Sequence, residues 1–359
     1  MKSRIVLVVA SCVLSVLLGL ALSKGGSADE RGSGQKGGAP RIGLSLDTLK
    51  EERWQRDRDT FVAKARELGA EVIVLSANSD DAQQIRDCES LLGQGIDVLV
   101  VAPHNGEAMS KAVESAHAGG VPVLAYDRLI RGCDLDLYVT FDNVKVGRVQ
   151  AGYLMEKWFG GAGEGGGKRR IARIYGAPTD NNARLFKQGQ DDVLKPHVDA
   201  GRVEVVFEDW AEDWRPANAK RIVQAAVSKT GVANPPDGVL ASNDGTAGGA
   251  IQALLEEGLA GKVAVTGQDA DLDACKRILA GNQTMTVYKP LKRLAGRAAE
   301  LAVDLAKRRP VVARGGVDNG FKVVPTVEED VVAVDGSNME ETVIKDGFHA
   351  AAALSVGER

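Results

Sequence analysis

The stretch VPVLAYDR, residues 121–128, runs from apolar side chains directly into an acid and a base. Val121, Val123, Leu124, Ala125 and Tyr126 read as a short strand buried on both faces, which Asp127 and Arg128 stop abruptly. In open parallel α/β sheets, ligands sit beyond the carboxyl ends of the strands, so side chains in that position point into a crevice. The design recurs along the chain. VLVVA at 98–102 runs into Pro103, His104 and Asn105; GVLA at 238–241 into Ser242, Asn243 and Asp244; VAVT at 263–266 into Gly267, Gln268 and Asp269. At one strand, a mutual ion pair or a helix cap explains the charges equally well. Repetition at four strands favours a polar edge built for a ligand.

Around these strands the pattern alternates strand and helix. Strands are expected at 42–46, 71–75, 97–102, 121–126 and 138–141, with helices at 51–68, 81–94, 106–118 and 144–158 between and after them. A second series follows: strands at 170–175, 203–208, 238–241, 263–266 and 284–288, and helices at 181–195, 216–229, 245–257 and 271–280. A long helix at 290–307 and weakly patterned strands within 316–334 complete the chain, and 343–348 is expected to pack across the hinge. Regular βα alternation implies parallel sheets with helices on both faces, and two similar series imply two similar lobes. The GGAGEGGG run at 160–167 lacks the Lys-Ser/Thr ending of a phosphate loop and reads as a surface loop.

At 359 residues the chain exceeds what one core usually fills. Its net charge is −4, and no basic stripe with interleaved aromatics appears, which argues against nucleic acid as a partner. Residues 1–23 read as an export signal: Lys2 and Arg4, then an apolar run to Leu22, with small side chains before Lys24. Residues 24–40 form a Gly-rich linker. Export places the protein in the periplasm, free if the signal is cleaved and tethered if the apolar run stays as an anchor. Cys12 lies in a lipoprotein-like context, but the residues after it stay apolar, which disfavours lipidation. Cys88, Cys133 and Cys275 show no metal-ligand spacing and read as small buried hydrophobes. The histidines are scattered, so neither a metal nor another cofactor is expected.

Catalysis finds no support. The first strand is followed by DTLKEERW rather than Gly-x-Gly-x-x-Gly, no Gly-x-Ser-x-Gly elbow is present, and no nucleophile–base set assembles. The strand ends suit a polyhydroxylated ligand instead. Each sugar hydroxyl donates one hydrogen bond and accepts others, so a dry site needs fixed acceptors (Asp127, Asp180, Asp269), fixed donors (Arg53, Arg128, Lys289) and amides that do both (Asn182, Asn243). Trp54 and Trp214, beside Arg53 and Arg215, are placed to sandwich the apolar faces of a ring, or else to fill the core.

Seven segments carry a specific resemblance: ERWQRDRD (52–59), LAYDR (124–128), FDN (141–143), DNNA (180–183), SNDGTAGGAIQAL (242–254), GQDAD (267–271) and TMTVYKP (284–290). They resemble the D-xylose-binding periplasmic proteins of ATP-binding cassette importers, with coverage from Arg41 to about His349. The resemblance implies a type I periplasmic-binding-protein fold: two flavodoxin-like lobes, each a parallel sheet flanked by helices, joined by a three-crossing hinge and closing on a sugar. It implies an N-terminal lobe of 41–141 and 288–318, a C-terminal lobe of 142–287 and 319–349, and a tail of 350–359. It also implies sugar contacts at Arg53, Trp54, Asp127 and Arg128 from the first lobe, and at Asp180, Asn182, Trp214, Asn243, Asp269 and Lys289 from the second lobe and hinge. The expected protein is a monomer that hands a monosaccharide, D-xylose, to a membrane permease. The same module signalling to a membrane sensor kinase or chemoreceptor is the alternative. A lac-repressor-type regulator would carry a helix-turn-helix where this chain has an export segment.

Overall fold

The computed structural model describes residues 38–160 and 167–354. The signal, most of the linker and nearly all of the 160–167 loop lie outside the described residues. The first βα series gives β1 (Arg41–Leu46), α1 (Glu52–Glu67), β2 (Glu71–Ser76), α2 (Asp81–Gly93), β3 (Val98–Ala102), α3 (Ser110–Ala118), β4 (Val123–Tyr126) and β5 (Leu137–Phe141). The second gives α4 (Asn143–Tyr153), β6 (Arg169–Tyr175), α5 (Asn181–Asp199), β7 (Val203–Trp210), α6 (Pro216–Thr230), β8 (Gly238–Ala241), α7 (Asp244–Glu256), β9 (Ala264–Val265), α8 (Leu272–Leu279) and β10 (Thr286–Tyr288). Then come α9 (Leu291–Ala306), β11 (Gly315–Asp318), β12 (Val323–Glu329), β13 (Val332–Val334) and α10 (Ala351–Leu354).

Among the described residues, one sheet runs β11-β12-β5-β4-β3-β1-β2 and another β7-β6-β8-β9, while β10 pairs with β13 alone. Apart from the antiparallel edge strand β11, neighbours in the two larger sheets are parallel. β3, β4 and β5 are buried at every position because helices cover both faces, which is why they read as unbroken apolar runs. The chain leaves the first sheet after Phe141, returns to its lobe with the helix α9 from Leu291, rejoins the sheet at Gly315, and leaves it again after Glu329.

That last crossing corrects one expectation. The C-terminal lobe was expected to resume at 319, yet β12 pairs with β5 from Thr326↔Tyr138 to Glu329↔Phe141, so 323–329 extends the first sheet. Only Val324 and Thr326 are buried in this strand, and such weak alternation does not announce a sheet partner. Two helix boundaries also differ. Asn105 Oδ1 accepts from the backbone N–H groups of Glu107 and Ala108, an Asx turn that delays α3 to Ser110. The end of α4 loosens into a π-turn, Leu154–Trp158, closed by Phe159 N–H to Leu154 O at 3.0 Å. Cys88, Cys133 and Cys275 are free and buried, matching their reading as small buried hydrophobes.

Candidate ligand-binding site

Parallel strands end, and the following helices begin, on the same edge of each sheet, and the two edges face each other. Arg53 and Trp54 lie in the first turn of α1, Asp127 and Arg128 follow β4, and Lys289 follows β10. Asp180 caps α5 by accepting from Asn182 N–H at 2.9 Å. Asn243 caps α7 in a reciprocal box with Thr246. Trp214 closes a short 3-10 turn, Glu212–Trp214, and Asp269 follows β9. The structure brings every one of these residues to the lining of one cavity of about 30 Å3, together with Glu51, Phe186 and Gln268.

The charged groups are knitted across the cleft. Arg53 donates to Asp127 Oδ2 (2.6 Å) and Asp57 Oδ2 (3.0 Å) in its own lobe and to Asp269 Oδ1 (3.3 Å) opposite. Lys289 Nζ lies 2.9 Å from the same Asp269 oxygen. Arg128 donates to Asp47 Oδ2 at 2.7 Å and pairs through Nε with Asp180 Oδ2 at 2.8 Å, also across the cleft. Asn182 Nδ2 returns the connection, donating to Asp127 O and Oδ1 at 3.0 and 3.1 Å. At the lip, His104 reaches Asp81 in its own lobe (2.6 Å) and Asp213 in the other (3.3 Å).

Backbone strain fixes several of these side chains. Asp127 has φ 62° and Asp269 φ 101°, and Asp213 and Trp214 lie at 50° and 56°. Such conformations disfavour side chains and persist only where the surroundings dictate them. At Asp127 they do so heavily: its N–H donates to Val139 O, and its carbonyl accepts from Tyr138 Oη, Thr140 Oγ1 and Asn182. Trp214 stands against Gly176, where any Cβ would lie 1.9 Å from the indole ring, and its Nε1 donates to Asp180 Oδ2 at 3.2 Å. Trp54 carries the guanidinium carbons of Arg53 and Arg128 at 4.3 and 5.0 Å from its ring centroid. The two tryptophans are thus both core residues and cavity walls. Arg215 instead turns outward to Asp213 and lines a neighbouring pocket.

The balance of burial and charge differs among the acids. Burial pushes Asp127 up, but Arg53 and Lys289 overcome it and hold the carboxyl below its ordinary range. At Asp180 burial wins over Arg128, and the carboxyl is raised. Burial lifts Asp57 to about 6 against the pull of Arg53, while Tyr126 Oη donates to it at 2.6 Å. Sequence reasoning missed Glu51, Phe186 and Gln268 as lining residues and Asp57 and Asp47 as anchors for the arginines. Gln268 did carry a signal, since it sits in the polar tip of a buried strand; Asp57 lies one helical turn after Arg53. Phe348 and His349 meet the expectation of a segment across the hinge: Arg56 donates to Phe348 O at 2.6 Å, and His349 Nε2 lies 2.7 Å from Ala270 O.

Two lobes closing a polar, tryptophan-walled cavity define a solute-binding protein. The periplasmic binding protein domain matches residues 42–310, and the chain belongs to this family of binding proteins rather than enzymes. It is 51% identical over 309 residues to the D-xylose-binding periplasmic protein of Haemophilus influenzae, covering 86% of this chain and 90% of the relative. Identity to the Escherichia coli protein of the same name is 48%, covering 86% and 91%. Among solved structures, a carbohydrate transporter solute-binding protein from Chloroflexus aurantiacus in complex with D-glucose superposes with TM-score 0.81 at 32% identity, covering 88% of this chain and 98% of that one. No helix among the described residues is long and apolar enough to cross a membrane.

Proposed function

We propose that this protein captures D-xylose between its lobes in the periplasm and, as a monomer, delivers it to the permease of an ATP-binding cassette importer. The observation that carries the reading is the cavity itself: arginine, lysine, aspartate and asparagine side chains from both lobes, buried together between two tryptophans. Half of such a set binds no sugar tightly, because only both lobes together replace the water around a ring of hydroxyls. A volume of about 30 Å3 is far below the roughly 300 Å3 or more of a typical small-molecule pocket. A pentose therefore enters as the lobes part, and its hydroxyls take over bonds that Arg53–Asp269 and Arg128–Asp180 make directly. A few charge-assisted hydrogen bonds at about 1.5–3 kcal/mol each reach the roughly −8 kcal/mol of micromolar binding. The relatives named for D-xylose support the choice of sugar.

Calorimetric titration with a panel of pentoses and hexoses tests it. D-xylose is expected to bind with micromolar or tighter affinity; no heat with D-xylose beside tight binding of another sugar would overturn the substrate.

A further inference from the structure

Most of the acceptors facing the cavity are already engaged. Asp127 receives Arg53 on one oxygen and Asn182 on the other; Asp180 receives Asn182 N–H on one and Arg128 and Trp214 on the other; Asp269 Oδ1 is shared by Arg53 and Lys289. Asn243 Oδ1 is consumed by its cap. Two lining residues differ. Gln268 Oε1 and Glu51 Oε2 are enclosed and accept from no protein donor; Gln268 is only 3% exposed, while Glu51 is half-buried and lines the neighbouring pocket too. Buried acceptors normally find donors, so a buried orphan aimed into a cavity marks an absent donor. Neither of these two oxygens is bonded within the fold. Gln268 holds Asp244 N–H through its backbone carbonyl, not its amide, and Glu51 occupies the N-cap of α1 without capping it.

We propose that Gln268 Oε1 from the second lobe and Glu51 Oε2 from the first accept two different hydroxyl protons of the bound sugar and set its hydroxyl specificity. The inference rests on the sugar-binding reading above. An arginine or lysine tolerates any oxygen, including an ether or a displaced water, because it only donates. These two acceptors require an O–H. The ligand class is therefore a pentose with free hydroxyls at both positions, and a deoxy or O-methyl analogue at either leaves an acceptor unpaired, the kind of mismatch that discriminates most strongly.

The test is calorimetric titration of the wild type, Gln268→Met and Glu51→Met with D-xylose and with each monodeoxy-xylose, alongside melting of the sugar-free proteins. Each variant is expected to bind D-xylose about tenfold or more weakly. For each there is one deoxy sugar that the wild type also binds weakly and for which the substitution adds no further loss. Melting temperatures of the sugar-free variants stay level or rise, since an orphan is removed. Gln268→Asn, which withdraws the acceptor while keeping the amide, is expected to weaken D-xylose similarly and serves if the methionine variant does not fold. Unchanged affinity in the variants, or equal losses for every deoxy sugar, overturns the inference while leaving D-xylose binding intact. A wild type that binds no D-xylose brings down the underlying reading instead.

Discussion

Asp269→Asn separates a ligand-facing charge from a structural one. Asparagine keeps the shape and tolerates the positive φ of 101° that position 269 requires, so the change removes little besides charge. Arg53 retains Asp127 and Asp57, but Lys289, only 1% exposed, loses the carboxylate 2.9 Å from its ammonium. Breaking one side of a buried pair costs about 3–5 kcal/mol, because the remaining charge stays desolvated. Losing a charge-assisted bond to the sugar costs about 1.5–3 kcal/mol, between tenfold and roughly 150-fold in Kd. Melting of the sugar-free protein and titration with D-xylose on the same variant are therefore both expected to shift, the first by several degrees. Asp269 is not a helix cap: α8 begins after Asp271, which itself makes no capping hydrogen bond. A cap would cost only about 1 kcal/mol of stability and leave the affinity of folded molecules unchanged. Unchanged affinity removes Asp269 from the site; unchanged melting refutes the reasoning about Lys289.

Gly176→Ala drives a methyl into the Trp214 ring, so D-xylose affinity is expected to fall by at least tenfold with the far-ultraviolet circular dichroism preserved, and an unaffected titration would count against Trp214 as a wall. Gly147→Ala places a carbon 2.0 Å from Phe186 O where α4 meets α5, and a loss of about 1–3 kcal/mol in chemical denaturation is expected. Burial lowers the His104 pKa, but Asp47, Asp81 and Asp213 more than reverse this, so the folded value lies above its ordinary 6.5. The imidazolium bridge therefore contributes in full below about pH 6.5 and is lost as pH rises through the folded pKa. The melting temperature is expected to show a decline over that window that His104→Gln abolishes; identical profiles would exclude the bridge. Small-angle scattering with saturating D-xylose should show a more compact particle than the sugar-free protein, and superimposable curves would argue against lobe closure.

Local sequence determined the layered architecture. Apolar runs such as 98–102 and 123–126 are legible because a strand covered on both faces has no polar position to offer. The polar tips at 127–128, 180–182, 243 and 269 were legible for a related reason: the site grows at the ends of those runs, where burial stops and chemistry begins. Tertiary structure alone decided the partners. Nothing near Arg128 indicates that it spans to Asp180, or that Arg53 divides itself among Asp57, Asp127 and Asp269, since such pairings depend on how two lobes meet. The same holds for β12, whose place beside β5 is set by hydrogen bonds distant in sequence while its own burial pattern stays faint. Gln268 was visible as part of a polar strand tip, but that its Oε1 and Glu51 Oε2 find no donor in the protein has no signature in sequence and is visible only once every neighbouring donor has been placed.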